Sequence, residues 1–454
     1  MMLGSQIAAP AKDWAISGTV LTSDQTFIDG TVAISDTKIA AVGTSPPTGA
    51  LPIKIPGVIL PGFIDLHNHL TWNVLPRWTA AHLFANRYEW QNVAEYERVL
   101  VTPHNTVLNA AACEVEIYAE IKALAGGATS SLGSLLPSRD FPHNRDCAAS
   151  MVRNLDLWSD LPFTPPKQGD PCWSAAHSVF DVVDNEIFPM QVTHDQVDFL
   201  RCVLASGQLP GLVVHLSEGA PNDGSAHQEF PMLQATGLMM AGLAIIHGTA
   251  LRVADFNAMA GKGVGLIWSP RSNDELYGGT TNIAAAQQQN VAIAIAPDWS
   301  PTGSAGMLQE MIYASWRYNS YFTALQLLQM ATSIPAKMVR LDGYIGSLAS
   351  GKYADLVAIR ASGADPAKAV LSATPADILL VVVNGQPLYG DPYLMAQLRP
   401  GDNLDSIRVC GAEKKVYLGQ SAAVGLNKDL AGIEKDLKDA LQRSGSHLPA
   451  IECD

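Results

Sequence analysis

Basic residues are scarce in this sequence. Among 454 residues, 29 Lys and Arg stand against 43 Asp and Glu, which gives a formal net charge of −14. Nucleic acids and anionic membranes bind basic surfaces, so we expect neither a nucleic-acid nor a membrane partner. Apolar stretches are also short, and none approaches the ~20 residues that cross a bilayer. Residues 1–14 lack a basic segment followed by a long apolar core, so we predict a cytoplasmic location.

Cysteine is rare as well, and its spacing matches no metal-ligand motif. No two of the six cysteines form a CxxC pair, so neither a zinc–cysteine site nor a disulfide framework is indicated. We therefore interpret all six as reduced thiols, the usual state in a cytosolic protein. They are Cys113, Cys147, Cys172, Cys202, Cys410 and Cys453.

The most informative feature that is present is a pair of histidines separated by one residue. The run from Pro61 to Leu66 is mostly apolar and leads directly into His67 and His69. In an extended strand alternate side chains share a face, so both imidazoles can reach one metal ion. The pair alone is weak evidence, because histidines near strand ends are often ordinary surface residues.

Further ionisable groups follow short β-like runs later in the chain. His215, His247 and Asp298 each come directly after such a run, and Glu218 lies just beyond His215. The spacings from His67 onward are 148, 32 and 51 positions. A (β/α)8 barrel uses about 31 residues for each strand–helix unit, so these residues fall on strands 1, 5, 6 and 8. The carboxyl ends of those strands face one mouth of a barrel, where such proteins keep their chemistry.

The pattern of strand-like and helical segments predicts an α/β chain in three parts. Residues 60–342 alternate between the two types, which indicates parallel βα units and a TIM barrel. Residues 1–59 and 343–400 read as short strands and turns, and they predict one small β-sandwich formed from both chain ends. Residues 401–454 carry no catalytic motif, so we predict a C-terminal extension used for packing or oligomer contact.

Four motifs in chain order resemble the amidohydrolase superfamily, specifically its members with a single metal ion. The motifs are PGFIDLHNH, HLSEG, IIHGTAL and APDWS, and the resemblance covers about residues 14–390. It extends to imidazolonepropionase, the guanine and cytosine deaminases and the triazine hydrolases, and it implies a deformed (β/α)8 barrel. The metal ligands that it implies are His67, His69, His215 and Asp298. The groups that it implies for proton handling and substrate polarisation are Glu218 and His247.

The resemblance also bears on the number of metal ions. Relatives with two metal ions carry a strand-4 lysine that is carboxylated to bridge the ions. We predict strand 4 between Trp173 and Phe180, where neither lysine nor glutamate occurs, so one ion per chain is favoured. Three imidazoles and one carboxylate suit a borderline divalent cation, with Zn²⁺ first and Fe²⁺ or Mn²⁺ as alternatives.

This set of groups predicts hydrolysis of a carbon–nitrogen bond other than a peptide bond. Zn²⁺ lowers the pKa of a bound water from about 15.7 to roughly 7, which provides hydroxide at neutral pH. Asp298 can accept a proton from that water, Glu218 can carry it to the leaving nitrogen, and His247 can donate where negative charge develops. We expect a small-molecule substrate and either deamination of a heterocycle or hydrolysis of a cyclic amide.

Other interpretations stay open at this point. The superfamily also contains amide and urea hydrolases with two metal ions, and the same fold can serve as a non-catalytic scaffold. Taken singly, His247 could be a hydrogen-bonded core residue and Glu218 a carboxylate in a surface turn. Asp298 could be only the cap of a helix over residues 304–317.

Several side chains near the strand ends are candidates for substrate contact. Residues 71–105 are rich in aromatic side chains, which either pack a long loop or line a pocket for a flat substrate. The candidates are Trp72, Trp78, His104, His177, Arg271, Asn273 and Trp299. The sequence leaves the oligomeric state open, and a homo-oligomer is compatible with it.

Overall fold

Short strands and helices alternate along most of this chain. The computed structural model describes residues 13–133, 151–156, 161–163, 166–174, 182–419, 426–451 and 453. The described strands are, in chain order, β1 (Trp14–Leu21), β2 (Phe27–Ser35), β3 (Lys38–Gly43), β4 (Leu51–Pro61), β5 (Phe63–Asp65), β6 (Ala128–Ser131), β7 (Arg153–Asn154), β8 (Val183–Ile187), β9 (Gly211–Leu216), β10 (Leu243–His247), β11 (Gly265–Trp268), β12 (Ile293–Ile295), β13 (Leu356–Ile359), β14 (Ile378–Val383), β15 (Gln386–Gly390), β16 (Asp405–Val409) and β17 (Ala412–Val416).

The helices lie mainly between the central strands. The described α-helices are α1 (Arg87–Trp90), α2 (Ala94–Tyr96), α3 (Thr102–Ala125), α4 (His194–Ser206), α5 (Gly224–His227), α6 (Glu229–Thr236), α7 (Val253–Lys262), α8 (Pro270–Tyr277), α9 (Ile283–Gln288), α10 (Met307–Arg317), α11 (Ala324–Met330), α12 (Ser333–Met338), α13 (Pro366–Val370), α14 (Pro392–Leu398) and α15 (Leu430–Arg443). Short 3₁₀ segments cover Leu70–Val74 and Pro375–Asp377, and a π-helical turn covers Glu97–Val101.

Strands β5 to β12 form a closed barrel. They pair in parallel in two groups, β12-β11-β10-β9-β8 and β5-β6-β7. On one side the amide of Val183 donates to the carbonyl of Leu155 at 3.0 Å. On the other side the amide of Asp298 donates to the carbonyl of His67 at 3.0 Å. The predicted (β/α)8 barrel is therefore confirmed, and His67, His215, His247 and Asp298 lie at the ends of strands 1, 5, 6 and 8.

Local sequence sets the boundaries of the elements that lead to the site. Thr193 and Gln196 form a capping box at the start of α4, and Gly207 ends that helix in the left-handed conformation, with φ 76°. The chain then enters β9, whose six residues are all buried. A strand buried on both faces is expected where helices cover the outside of a barrel and side chains fill its inside.

Both chain ends contribute to one nine-stranded sheet, in the order β16-β17-β15-β14-β13-β4-β1-β2-β3. The ion pair between Arg153 in β7 and Asp355 beside β13 joins the barrel to this sheet, with Nε to Oδ2 at 3.0 Å. From the last segment, β16 and β17 extend the sheet, and α15 packs against α3. The division into residues 1–59 with 343–400, residues 60–342 and residues 401–454 stays a prediction.

The position predicted for strand 4 is wrong. The fourth barrel strand is β8 (Val183–Ile187), which lies beyond the predicted Trp173–Phe180 segment and contains Glu186. Most of its residues are polar and half-buried, so it lacks the apolar run by which sequence analysis finds strands.

The prediction of reduced cysteines is also wrong. Cys172 is bonded to Cys202 and Cys410 to Cys453, and Cys113 is also in a disulfide. The partners of the first two pairs are 30 and 43 positions apart, and their Cα atoms lie 5.6 and 5.5 Å apart. These cysteines come together only when the chain folds, so their pairing could not be predicted from a short spacing motif. Within the described part of the chain, no helix is long and apolar enough to cross a bilayer.

Candidate metal centre

Four of the predicted ligands converge at the carboxyl ends of their strands. Nε2 of His67 lies 3.1 Å from Nε2 of His215 and 3.2 Å from Oδ1 of Asp298. Nε2 of His69 lies 3.4 Å from the same carboxylate oxygen. His247 lies beside them, because one ligand atom each of His67, His215 and His247 falls within 4.8 Å of the others. Residues spread over 232 positions of chain therefore meet in one cluster around His67.

The backbone is strained where it delivers these side chains. His247 and Asp298 have positive φ angles of 63° and 70°, and Ser217, two residues after His215, has φ 52°. Residues other than glycine rarely adopt this region, at a cost of about 1 to 3 kcal/mol each, and such strain clusters at functional sites. The surrounding barrel therefore holds these residues in backbone conformations that they would rarely adopt on their own.

Hydrogen bonds on the far side of three imidazoles fix which ring nitrogen faces the cluster. Nδ1 of His215 lies 3.4 Å from the backbone oxygen of Glu186, and Nδ1 of His247 lies 2.8 Å from Oδ1 of Asn273. Both oxygens can only accept, so each Nδ1 carries the proton and each Nε2 presents a lone pair to the cluster. Nδ1 of His67 likewise contacts the hydroxyl of Ser269 at 2.8 Å. Metal-binding histidines are held in this way.

Burial keeps the imidazoles of His67, His69 and His215 neutral. It lowers the pKa of His67 to about 4 and the pKa of His215 well below its ordinary value. The pKa of His69 is lowered too, also mainly by burial. Neutral imidazoles whose lone pairs face one another lack a proton to share between them. A cation among them supplies the missing partner, so the donor set fits a divalent metal ion.

Asp298 supplies the negative charge of the cluster. Its Oδ1 faces the imidazoles, while its Oδ2 accepts a hydrogen bond from the hydroxyl of Ser272 at 2.6 Å. Burial alone would raise the pKa of Asp298, but the nearby His67 lowers it overall, so the carboxylate stays ionised. The side chain does not serve only as a helix cap, since both of its oxygens are used within the site.

Glu218 lies beside the cluster in a buried polar network. Its Oε2 lies 3.8 Å from Nε2 of His247 and 3.9 Å from NH1 of Arg87. Its Oε1 accepts a hydrogen bond from the hydroxyl of Tyr277 at 2.5 Å, and that hydroxyl accepts one from Nε1 of Trp90 at 2.7 Å. Glu218 is only 4% exposed, so it is not a surface-turn carboxylate.

Arg87 keeps a full positive charge near Glu218. Burial alone would lower its pKa, but the carboxylates of Glu218 and Glu229 raise it overall. Its NH2 group donates to Oε1 of Glu229 at 2.8 Å. The hydroxyl of Tyr88 donates to the same oxygen at 2.7 Å. Glu229 in turn accepts from the backbone amide of Ser217, which ties this network to the end of β9.

Aromatic rings stand beside His69, whose side chain is 34% exposed. The centroid of the Trp299 ring lies 5.8 Å from that of His69 and 5.6 Å from that of Trp72. Trp72 stacks on His104 at 3.8 Å and is parallel to Tyr96 at 6.4 Å. We call Trp72, Tyr96 and Trp299 the aromatic wall. His104 is buried behind it, where its Nε2 contacts the hydroxyl of Thr71 at 2.9 Å.

The remaining predicted substrate contacts do not belong to the aromatic wall. Trp78 is 5% exposed and packs against Phe84 at 5.9 Å between centroids, so it supports the long loop. Arg271 lies over the ring of Tyr313 at 5.8 Å, against α10. Asn273 contacts His247, as described above. His177 lies outside the described residues. Contact of any of these residues with a substrate stays a prediction.

Sequence analysis missed the residues that hold the ligands in place. They are Arg87, Trp90, Glu229, Ser269, Ser272 and Tyr277. The segment Ser269–Asn273 drew attention only for Arg271 and Asn273, although its position after the seventh strand placed its serines near the site equally well. Trp90 belongs to the aromatic-rich stretch 71–105, but nothing in the local sequence marks Tyr277.

Comparisons with known proteins agree with the fold and the motifs. Residues 185–388 match the model of the amidohydrolase family. A 5-methylthioadenosine/S-adenosylhomocysteine deaminase from Desulforudis audaxviator is 29% identical over 205 residues. That match covers 41% of this chain and 48% of the relative, so the chain matches about half the length of that protein.

Two solved structures share the whole architecture. An adenosine deaminase from Xanthomonas campestris with bound zinc superposes with a TM-score of 0.66 at 18% identity, covering 96% of this chain and 100% of that chain. A mutant atrazine chlorohydrolase from Arthrobacter aurescens, complexed with zinc and atraton, gives a TM-score of 0.69 at 16% identity, covering 94% and 99%. At these identities the likeness shows the fold alone. Together with the family match, it confirms the resemblance to the amidohydrolase superfamily.

Proposed function

We propose that this protein is a metal-dependent amidohydrolase that removes an amino group from a small heterocycle by hydrolysis, or opens a cyclic amide. One observation carries the proposal: at the mouth of a (β/α)8 barrel, Nε2 of His67 lies within 3.2 Å of both Nε2 of His215 and the ionised carboxylate of Asp298, and His69 lies beside the same carboxylate. No structural role requires such an arrangement, and burying these groups is unfavourable unless they are paired.

The proposed site holds one divalent ion. We assign Zn²⁺ first, with Fe²⁺ or Mn²⁺ as alternatives, because imidazole and carboxylate ligands suit these ions. The ion supplies a water ligand with a pKa near 7 and therefore a nucleophile at neutral pH. The proposed ligands are His67, His69, His215 and Asp298. Among the described residues, the groups with ligand spacing all contain His67 and none includes Glu186, which favours one ion over two.

Glu218 and His247 move and hold protons in this scheme. Glu218 takes a proton from the attacking water on Oε2 and delivers it to the leaving nitrogen. As the new C–O bond forms and the C–N bond breaks, that nitrogen departs as ammonia or as a ring amine. Neutral His247 presents a lone pair on Nε2, since Asn273 fixes its proton on Nδ1. His247 therefore donates to the substrate from Nε2 only when both ring nitrogens carry a proton, and Oε2 of Glu218 lies 3.8 Å from that atom.

The aromatic wall supports a flat substrate. The Trp299 ring lies 5.8 Å from His69 and the Trp72 ring 5.6 Å from Trp299, so these rings can stack on a heterocycle that is held at the metal centre. The curated relative described above is named for the deamination of adenine derivatives, and one of the similar structures is an adenosine deaminase. We therefore place amino-purines and related amino-heterocycles first among substrates, and cyclic amides second.

The test is a screen of zinc-loaded protein for ammonia release. The panel contains adenosine, 5-methylthioadenosine, guanine and simple cyclic amides and ureas, with ring opening followed by ultraviolet absorbance. We expect turnover of at least one compound, and metal analysis by mass spectrometry should give about one ion per chain. Two ions per chain would instead support the two-metal alternative, and no turnover of the whole panel would contradict the proposal.

A variant separates catalysis from metal binding. Glu218→Gln should keep the metal ion and lose activity by about 100-fold or more, since general acid–base catalysis contributes roughly that much. The matched control is Glu275→Gln, which changes a carboxylate that is 42% exposed. Full activity of Glu218→Gln would remove Glu218 from the mechanism.

Location and assembly are separate questions. The predicted cytoplasmic location is kept only as a proposal, and the paired cysteines oppose it because disulfides are rare in reducing compartments. Counting thiols in protein isolated under trapping conditions decides the matter, since a cytoplasmic protein should show six reduced cysteines. A homo-oligomer likewise stays a prediction, which sedimentation of the purified protein tests.

A further inference from the structure

We propose that Tyr277, anchored by Trp90, is a positioning residue that holds Glu218 with its Oε2 turned toward the metal centre. The proposal rests on the proposed function, because only there does Glu218 carry protons. Tyr277 lies in α8 and is 4% exposed, so water does not replace its contacts.

The direction of each hydrogen bond in this network follows from chemistry. The indole nitrogen of Trp90 can only donate, so the hydroxyl of Tyr277 accepts at 2.7 Å. The hydroxyl then directs its own proton to Oε1 of Glu218 at 2.5 Å. Burial and the nearby carboxylate raise the pKa of Tyr277 well above its ordinary value, so the phenol keeps that proton. The two hydrogen bonds therefore run in one direction, from Trp90 through Tyr277 to Glu218.

This series of hydrogen bonds gives the two oxygens of Glu218 different roles. Oε1 is held by the phenol, which leaves Oε2 as the oxygen that can accept and release a proton. Oε2 is the one that faces Nε2 of His247 at 3.8 Å. A proton carrier is efficient when its acceptor atom is held within reach of the reacting groups, so fixing this oxygen should favour turnover.

Arg87 gives the network a competing arrangement. Its NH1 group lies 3.9 Å from Oε2 of Glu218, too far for a hydrogen bond, and has no hydrogen-bond partner within the described part of the chain. Without the phenol, the carboxylate is free to rotate onto this buried guanidinium and form a direct ion pair. Glu218 would then be engaged by Arg87 and withdrawn from His247. Tyr277 therefore prevents an unproductive ion pair as well as orienting the carboxylate.

Helix α8 contacts three site residues in the same manner. Ser272 donates to Asp298, and Asn273 accepts from His247, one turn before Tyr277 donates to Glu218. The helix follows β11, so its place at the barrel mouth is set by the strand. One short helix thus orients the carboxylate ligand, the imidazole and the proton carrier.

The first experiment compares steady-state kinetics on the panel compound that the wild-type protein turns over fastest. Tyr277→Phe should lower kcat about 10- to 100-fold, the effect of one lost hydrogen bond to a charged group. KM should stay within about twofold and zinc content near one ion per chain. The matched control is Tyr313→Phe, which removes a phenol–carboxylate bond to Asp274 at 2.8 Å, away from the metal centre. It should leave kcat unchanged.

A double-mutant cycle tests whether Tyr277 acts through Glu218. In the Glu218→Gln background, Tyr277→Phe should lower kcat less than about twofold, because the group that it positions is already disabled. An equal loss in both backgrounds would overturn the proposal, as would an unchanged kcat or an effect confined to KM.

A measurement without substrate keeps this test independent of the proposed function. Infrared difference spectra of zinc-loaded wild-type protein and Tyr277→Phe should show a shifted carboxylate stretching band. The same difference taken in the Glu218→Gln background should lack that band, which assigns it to Glu218. If the wild-type protein turns over nothing, the proposed function fails, and the infrared band still decides the orientation of Glu218. Absence of the band in the first difference would overturn the proposal.

Discussion

At the scale of single residues, the site depends on groups that hold the ligands rather than on the ligands alone. The imidazoles of His67, His215 and His247 are held through Nδ1, and the carboxylate of Asp298 is held through Oδ2. Such supporting contacts commonly change metal affinity 10- to 100-fold when they are removed. The support therefore matters nearly as much as the donor atoms.

Ser272→Ala should weaken zinc binding about 10- to 100-fold, because it removes the donor that orients Asp298 at 2.6 Å. Competition with a chelator of known zinc affinity measures this change. The control is Ser315→Ala, whose hydroxyl donates to the carbonyl of Ile312 within α10. Equal affinity of Ser272→Ala and wild-type protein would show that Oδ2 needs no fixed partner.

Sequence patterns revealed the ligands but not their supports. His67 and His69 stand in one short motif, and His215, His247 and Asp298 each end an apolar run, so local sequence is enough to find them. Ser269, Tyr277 and Arg87 reach the site only because the barrel closes and α8 folds over its mouth. Their residue types are common on any helix or loop, so no local pattern distinguishes them.

At the scale of elements, apolar strands were predictable and polar ones were not. β9 and β10 are buried throughout and read as continuous apolar runs. β8 has the sequence VDNEI and is largely half-buried, so its hydrophobic signal is absent although its backbone pairs with β9 over five residues. Strand β8 is defined by its backbone hydrogen bonds to β9, and these bonds cannot be predicted from the hydrophobicity of its side chains.

A buried ion pair contributes to the contact between barrel and sheet. Arg153 and Asp355 have side chains that are 1% and 4% exposed, and Nε and NH2 of Arg153 each donate to a carboxylate oxygen at 3.0 Å. Asp355 also accepts from the backbone amide of Asn384 at 2.7 Å. Removing Asp355 takes both of these hydrogen bonds away from a guanidinium that stays buried.

Asp355→Ala should therefore lower the free energy of unfolding by about 3 to 5 kcal/mol. The shift of the urea midpoint measures this loss. The comparison variant is Asp439→Ala, which breaks an exposed pair with Lys435 on α15 and should leave the midpoint unchanged. A midpoint for Asp355→Ala equal to that of the wild type would show that water reaches Arg153 and solvates it.

At the scale of the whole molecule, the metal centre couples stability to pH. Unfolded histidine binds a proton near pH 6.5, whereas burial lowers the pKa of His67 to about 4. Between these values the unfolded chain binds more protons than the folded chain, so stability rises with pH across that window. Metal-free protein should lose stability as the pH falls from about 6.5 to about 4, and full stability should be present above it.

Urea midpoints at several pH values, with and without zinc, test this dependence. Zinc binds neutral imidazoles, so loading the protein should move the loss of stability to lower pH. The variant His447→Asn changes an exposed histidine and should leave the profile as it is. A metal-free midpoint that stays constant across the window would show that the cluster does not exclude protons.

A disulfide near the end of the chain also contributes to the stability of the whole molecule. Cys410 lies in the turn between β16 and β17, and its bond to Cys453 ties the last residues to the nine-stranded sheet. A cross-link over 43 positions restricts the unfolded chain, which stabilises the folded state by about 2 to 4 kcal/mol. Replacing both cysteines by alanine should lower the free energy of unfolding by that amount under oxidising conditions, measured by urea unfolding, while zinc content stays the same. Under reducing conditions the difference from the wild type should vanish, because the wild-type bond is then open as well. A difference that persists in reductant would assign the loss to packing of the two sulfur atoms rather than to the cross-link.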